Sequence, residues 1–395
     1  MALPRPSTDY EVTPWYPPHA GGGAELLAQR AAALLQAAGH DVCVLTTCVR
    51  EFRSDWGIDH YRPGRAVVGG VPVRRVPADR RDWRLFDQVN LRLMRGEQVT
   101  PAEEAVYVEE SVRSRALEAF IAAQSGDARF VLLPYMFGTT YWGAQVRPQD
   151  SFLMPCLHDE AYARLSVFAP IMRAVRGLLC LSEAERELAG GLYGVSEERL
   201  HIVGAAIDLD VRGDAARFRA RFGLRQPFLL YAGRKDAGKN LDWLCDAYAR
   251  YVVRRGDDLR LVLLGPGTWP APPGLRGRLI DLGFVAEQDK YDACAAALAV
   301  CQPSLHESFS YVVMEGWLCG TPALVHADCA VTVEHCRAAS AGLWCGDAAE
   351  FAASVDCLRE HADVARRLGA QGAAYVRRAF APAQVQARLE RALAT

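Results

Sequence analysis

Apolar positions fall into short runs separated by stretches in which they recur at helical spacing. Such runs bounded by turn residues predict buried strands, and the spaced stretches predict amphipathic helices. Asp41–Thr47 (DVCVLTT), Phe130–Leu133, Phe152–Leu157, Leu178–Leu181 and His201–Val203 are the predicted strands of the first half. Ala24–Ala38 carries Leu26, Leu27, Leu34 and Leu35 on a helical face and stops at Gly39, a C-cap signal. After Leu181, Ser182 and Glu185 form a capping box for a further helix. Residues 7–13 (STDYEVT), ahead of the first helix, are short and polar. Arg212–Arg225 is polar as well and reads as a linker.

The alternation then restarts. Strands are expected at Phe228–Ala232, Leu259–Leu264, Leu279–Val285, Val300–Pro303 and Ala323–His326. Helices are expected at Leu241–Arg254, Gln288–Ala299 and Ser310–Cys319, and onward to the C-terminus. Strands alternating with helices mean a parallel sheet covered on both faces. Two such series predict an α/β protein of two doubly wound, Rossmann-like domains facing a cleft. The boundaries expected are 1–210, 211–380 and a last helical segment, 381–395. Ligands in such sheets bind beyond the carboxyl ends of the strands.

Composition narrows the classes. The chain has 395 residues, 51% hydrophobic and 23% charged, with a net charge of −2. That excludes a disordered chain and a broadly basic nucleic-acid binder. Residues 60–99 are the local exception, with nine arginines against four acids. They read as a solvated face or as a surface for anionic lipid or a phosphorylated acceptor. The twelve cysteines form no C-x-x-C and sit mainly in apolar strings, as buried thiols do in a reducing compartment. No apolar run reaches the ~18–20 residues of a membrane helix, and no signal-peptide core is present. A cytoplasmic protein is expected, with peripheral contact at the inner membrane face left open.

Three constellations could carry chemistry. In Pro303-Ser-Leu-His-Glu307-Ser-Phe-Ser-Tyr-Val-Val-Met-Glu315, a strand ends, a loop carries Glu307, and a helix containing Glu315 begins. The N–H groups of Phe309, Ser310 and Tyr311 lie at that helix start, where a phosphate can bind. Acids on both sides of a phosphate suit a ligand with hydroxyls on both flanks, such as a nucleotide-sugar. The bland alternative is a capped helix with two surface acids. In Tyr231-Ala-Gly233-Arg234-Lys235-Asp236-Ala-Gly238-Lys239, cations gather at the end of a strand. Only Lys235, Lys239 and Lys290 are lysines in a chain otherwise provided with arginine. Cations there can stabilise a leaving diphosphate; the alternative is a polar βα loop. In Tyr16-Pro-Pro-His19-Ala-Gly21-Gly22-Gly23, glycines open the first helix and can cradle an anion or simply turn. This loop matches neither the dinucleotide nor the P-loop pattern. His158, after a strand, is a candidate proton or hydrogen-bond partner. Asp208-Leu-Asp210 looks like a metal-holding D-x-D but has no companion ligands.

Together these segments resemble the GT-B glycosyltransferases, specifically the retaining family 4 (glycosyl transferases group 1). The residues that carry the resemblance are Gly22-Gly23-Ala-Glu25, Gly39-His40-Asp-Val42, Cys180-Leu-Ser182-Glu183, Ile207-Asp208, Tyr231-Ala-Gly-Arg234, Lys239, and Glu307 to Glu315 (E-x7-E) with Gly320-Thr-Pro322. The resemblance implies transfer from a nucleoside-diphosphate sugar without a cofactor or bound metal. It implies that Glu315 holds the ribose, Glu307 the sugar hydroxyls, and Arg234 and Lys239 the diphosphate. The helix start at Phe309, Ser310 and Tyr311 would complete the donor site. His158 would reach the transferring sugar, and the loop at Gly22 and Gly23 would face acceptor or phosphate. The acceptor would be a glycan, a lipid-linked sugar or a small molecule, and the last helix would cross back to the first domain. Departures from the family pattern are the polar segment 7–13, Ser308 and Ser310 where glycines are common, and Gly316 after Glu315. The rivals are a sugar-nucleotide epimerase of the same architecture, a non-catalytic nucleotide-sugar binder, and a metal-dependent transferase.

Overall fold

The computed structural model describes residues 8–19, 21–256 and 258–395; Ser7, Ala20 and the rest of the N-terminus lie outside the described residues. The chain divides into two compact units. One runs to Ala206 and takes in Pro382–Thr395; the other is Ile207–Ala381.

The first unit holds strands β1 (Thr8–Thr13), β2 (Asp41–Thr47), β3 (Gly64–Val68), β4 (Val71–Val76), β5 (Arg129–Leu132), β6 (Ser151–Leu153), β7 (Gly177–Cys180) and β8 (Leu200–Ile202). Their order in the sheet is β3-β4-β2-β1-β5-β6-β7-β8. All pairs are parallel except the β3–β4 hairpin. The polar segment is thus a strand at the middle of the sheet, and its side chains alternate. Val12 packs into the same apolar cluster as Leu45, Phe130 and Leu132, with Tyr10 against it. Asp9 and Glu11 are buried too. Asp9 is compensated: Arg129, its register neighbour on β5, donates from Nε to Oδ1 at 2.6 Å and from Nη2 to Oδ2 at 2.9 Å, and His40 Nδ1 lies 2.6 Å from Oδ2. Glu11 differs. It lies between Val44 and Val131 in register, and among the described residues neither carboxyl oxygen has a hydrogen-bond partner. Burial raises its pKa well above the usual carboxylate range, so it is held as the neutral acid.

The second unit holds β9 (Phe228–Ala232), β10 (Arg260–Leu264), β11 (Leu279–Gly283), β12 (Ala299–Gln302), β13 (Ala323–His326) and β14 (Gly342–Cys345), in the order β11-β10-β9-β12-β13-β14. Every pair is parallel. Its central strands read as unbroken apolar runs because both faces are covered. Leu229 and Tyr231 enter one core cluster, while Phe228, Leu230 and Ala232 enter another. The helix Ala362–Ala379 lies close against Tyr311–Leu318: a Cβ on Gly372 would come within 2.3 Å of the buried Trp317 ring, and one on Gly369 within 1.9 Å of the Gly320 carbonyl oxygen.

The polar run expected as a linker contains a helix, Ala215–Phe222, that belongs to this second unit. Asp214 caps it, and Phe218 and Phe222, one turn apart, bring ring contacts to the core, Phe218 reaching Phe228. The terminal helix Pro382–Leu393 packs with the first unit. Arg388 Nε donates to the Val203 carbonyl at 2.9 Å, and Arg129 Nη1 to that of Leu393 at 3.1 Å. Among the described residues no helix is long and apolar enough to cross a membrane.

Candidate functional site

In the second sheet the strand order reverses between β9 and β12, which is where a doubly wound sheet opens a crevice at its carboxyl edge. Both sequence constellations emerge there. Residues 233–240 follow β9, and residues 303–310 follow β12. Asn240, in the left-handed region at φ 53°, donates from Nδ2 to the Pro303 carbonyl at 3.1 Å and ties the two loops together. Gly265, at φ +117°, sits so close to the first loop that a Cβ would meet the Gly233 carbonyl oxygen at 2.1 Å.

The structure brings Lys239 and Glu307 into direct contact, Nζ to Oε1 at 2.6 Å. Gln302, at the end of β12, donates to Glu307 Oε1 at 3.3 Å and to Ser310 Oγ at 3.1 Å. Ser310 has φ +72° and heads the helix Tyr311–Leu318. Phe309 does not present its ring to a ligand. It is buried against Phe380, His335 and Tyr311, with centroids 4.8, 5.4 and 5.4 Å away, so only its backbone remains for the site. Arg234 is the partly exposed cation of the loop, with Nε 3.5 Å from Asp236, and its carbonyl accepts from Tyr231 Oη at 2.5 Å. The neighbouring Lys235 is turned away. Its buried Nζ meets Asp281 at 2.7 Å and the Gly265 carbonyl at 2.6 Å, so it holds adjacent loops together and does not join the cation cluster that two lysines in one loop suggest.

Glu315 lies almost wholly buried on its helix and is met by Lys290 of the helix Glu287–Ala296, Nζ to Oε2 at 2.7 Å. Sequence reading had no basis for placing Lys290 there. The scarcity of lysine in this chain was the available signal.

His158, Gly22 and Gly23 belong to the first unit. The strand expected to end at Leu157 is shorter: β6 stops at Leu153, and Pro155 and Cys156 (φ 55°) break its extended course before His158. His158 Nδ1 lies 3.2 Å from Glu160 Oε1. The backbone just before it is clamped by Glu185, whose two oxygens accept from Leu157 N at 2.6 Å and Leu181 N at 2.5 Å. Burial pushes the Glu185 carboxyl up to about 7, against the opposing pull of those bonds. Of the expected capping box only the Ser182 half is seen, its hydroxyl accepting from Glu185 N, while the Glu185 carboxyl clamps the backbone at Leu157 and Leu181. At the glycine loop, Gly22 caps the first helix, Gly23–Ala37, and Glu25 reaches back so that its Oε2 accepts from Gly21 N and, at 3.1 Å, Gly22 N. Two of the groups expected to cradle an anion are therefore taken by the chain's own carboxyl. Asp208 and Asp210 form a local turn, Asp210 N donating to Asp208 Oδ1 at 2.9 Å. Among the described residues no group of three or more His, Cys, Asp or Glu is arranged to hold a metal.

Residues 226–361, which contain this crevice, match the family model described as glycosyl transferases group 1. The chain is 30% identical over 203 residues to D-inositol 3-phosphate glycosyltransferase of Xylanimonas cellulosilytica, covering 46% of this chain and 48% of that one. It spans about half the length of such curated relatives. Sucrose-phosphate synthase from Thermosynechococcus elongatus superimposes with a TM-score of 0.71 at 17% identity, covering 98% of each chain. HepE from Anabaena, in complex with UDP and glucose, gives 0.67 at 15% identity over 98% of this chain and 99% of that one. The chain has the GT-B fold, and its residues 226–361 are similar to the glycosyl transferases group 1 family.

Proposed function

We propose that the protein is a glycosyltransferase that moves a sugar from a nucleoside-diphosphate donor to a hydroxyl acceptor, with retention of configuration and without a bound metal. The observation that carries this reading is the pairing of Lys239 with Glu307, beside Arg234, at the reversal point of the second sheet. Arg234 and Lys239 would stabilise the charge that grows on the departing diphosphate, with the start of the helix Tyr311–Leu318 adding its N–H groups. Glu307 would accept from sugar hydroxyls and Glu315 from the ribose diol. The anomeric C–O bond to phosphate breaks as the acceptor oxygen bonds to the same face of that carbon. The acceptor proton passes to the leaving phosphate oxygen, so no enzymic nucleophile is required. His158 would hydrogen-bond the transferring sugar. The HepE complex with UDP and glucose and the name of the inositol-phosphate relative support this donor class and a hydroxylated acceptor.

The test is to incubate the protein with UDP-, GDP- and ADP-sugars and to follow release of nucleoside diphosphate, with and without candidate acceptors. Acceptor-stimulated release, persisting in excess chelator, supports the reading. Donor isomerisation without an acceptor favours the epimerase. Tight binding without turnover favours the non-catalytic binder, and chelator sensitivity rescued by manganese or magnesium favours the metal-dependent enzyme.

The outward face of the helix Trp83–Met94 supports a cytoplasmic enzyme that touches the membrane surface. Trp83, Leu91 and Met94 are 49, 51 and 62% exposed, with Arg84 over the Trp83 ring and Arg80 and Arg95 exposed nearby. An aromatic residue among aliphatics and arginines suits the headgroup level of an anionic leaflet.

A further inference from the structure

All three lysines of the chain lie in the second unit, and each Nζ sits within 2.7 Å of a carboxylate oxygen: Lys235 at Asp281, Lys239 at Glu307 and Lys290 at Glu315. The first holds loops together and the second belongs to the proposed donor loop. Lys290 stands on a different helix from either proposed site acid.

We infer that Lys290 is a positioning residue for the nucleotide end of the site, holding the Glu315 carboxylate oriented toward the ribose diol. The inference rests on the reading that Glu315 is the ribose partner. The Glu315 side chain is only 4% exposed. Burying a carboxylate is costly unless an opposite charge stands beside it, and a carboxylate left without one is poorly held for a ligand. A diol needs acceptors for two hydroxyls. The Lys290 ammonium removes that difficulty, and its position 4.8 Å above the Tyr291 ring fixes where the charge sits.

The residue type supports the same conclusion. The chain has 45 basic residues, of which all but three are arginine. A guanidinium matches both oxygens of a carboxylate in a fork and would compete with a diol for them. An ammonium is a compact point charge with no such fork, and here its Nζ lies 2.7 Å from Oε2. Lysine is therefore the cation that can compensate Glu315 without matching both of its oxygens in a fork.

The experiment is calorimetry with the tightest binder among UDP, GDP and ADP and with the 2′,3′-dideoxy form of that nucleotide. Wild type should prefer the ribonucleotide. Lys290→Met should weaken the ribonucleotide by about tenfold, the scale of one charge-assisted hydrogen bond, and leave the dideoxy form within about twofold, so the preference collapses. Lys290→Arg should melt like wild type yet recover only part of the preference. In turnover the loss should fall on KM for the donor, with kcat nearly kept. Equal weakening of both nucleotides by Lys290→Met would mean a merely structural role and overturn the inference. So would full recovery of the preference by Lys290→Arg. Glu315→Gln separates the two levels. If it abolishes the ribose preference while Lys290→Met keeps it, the inference fails and the site reading stands. If Glu315→Gln also keeps it, Glu315 does not hold the ribose and the reading itself is wrong.

Discussion

The two sheets share a strand order around their reversal points and treat charge there differently. In the second unit, the loops after β9 and β12 oppose a lysine to a carboxylate, and Lys290 does the same for Glu315 one helix away. In the first unit, the loop after β1 closes on Glu25, whose pKa burial raises, and the Glu11 carboxyl on β1 has no hydrogen-bond partner among the described residues. One topology thus provides two crevices, and side chains decide which of them can take a highly charged ligand.

The sharpest break in this comparison comes from the cations of the second unit. Lys239→Ala and Arg234→Ala should each lower turnover by ~10²–10³, the usual cost of removing one group aimed at developing charge. Near-normal rates in both variants would take this loop out of the mechanism. Next, the two acids should separate by ligand. Glu315→Gln should weaken nucleoside diphosphate about tenfold, whereas Glu307→Gln should spare it and weaken the intact nucleotide-sugar by a similar factor. Titrating both ligands into both variants decides this, and equal losses everywhere would erase the proposed division of labour.

A prediction for the first unit concerns stability. Below about pH 4 the Glu11 carboxyl is protonated whether the chain is folded or not. As pH rises, the unfolded chain releases that proton while the folded chain keeps it, so folded stability falls until the raised folded pKa is passed. Glu11→Gln removes this slope. Its melting temperature relative to wild type should therefore climb from pH 5 to pH 8, with a gain of about 1–3 kcal/mol at the upper end, the scale of a buried group's desolvation. A constant difference across that range would show that Glu11 does not titrate as a buried acid. The smallest effect is expected at the surface. Trp83→Ser with Met94→Ser should lower co-sedimentation with anionic vesicles a few-fold and leave binding to neutral vesicles low throughout. Unchanged sedimentation would leave the exposed helix face without a lipid role.

The second unit was the more legible in sequence. Its strands are buried on both faces, so runs such as Phe228–Ala232 and Ala323–His326 stand out as apolar, and the spacing of Glu307 and Glu315 survives any uncertainty in element ends. The first unit hid its centre. β1 carries Asp9 and Glu11 because Arg129 pairs with one, beside His40, and a retained proton neutralises the other, and neither partner is near in sequence. The β3–β4 hairpin was also missed, although Gly69 and Gly70, at φ 58° and 83°, are the turn pair that such hairpins use. The helices Trp83–Met94, Pro101–Glu109 and Arg115–Ala122 went unassigned because arginines and acids interrupt their apolar faces. Lys290 could not be placed by motif spacing, since it meets Glu315 from a separate helix. Glu25 and Glu185 were visible as helix-start acids, but the loops they clamp were not.

The proposed chemistry requires that the second unit's crevice hold a nucleoside diphosphate through its cations. Titrating UDP, GDP and ADP into wild type and into a variant carrying both Arg234→Ala and Lys239→Ala, in excess chelator, tests this in one measurement. The prediction is clear binding of one nucleotide by wild type and at least a hundredfold loss in a variant that melts normally, since two charge-assisted contacts disappear. Wild type that binds none of the three, or a variant that binds as tightly as wild type, would contradict it.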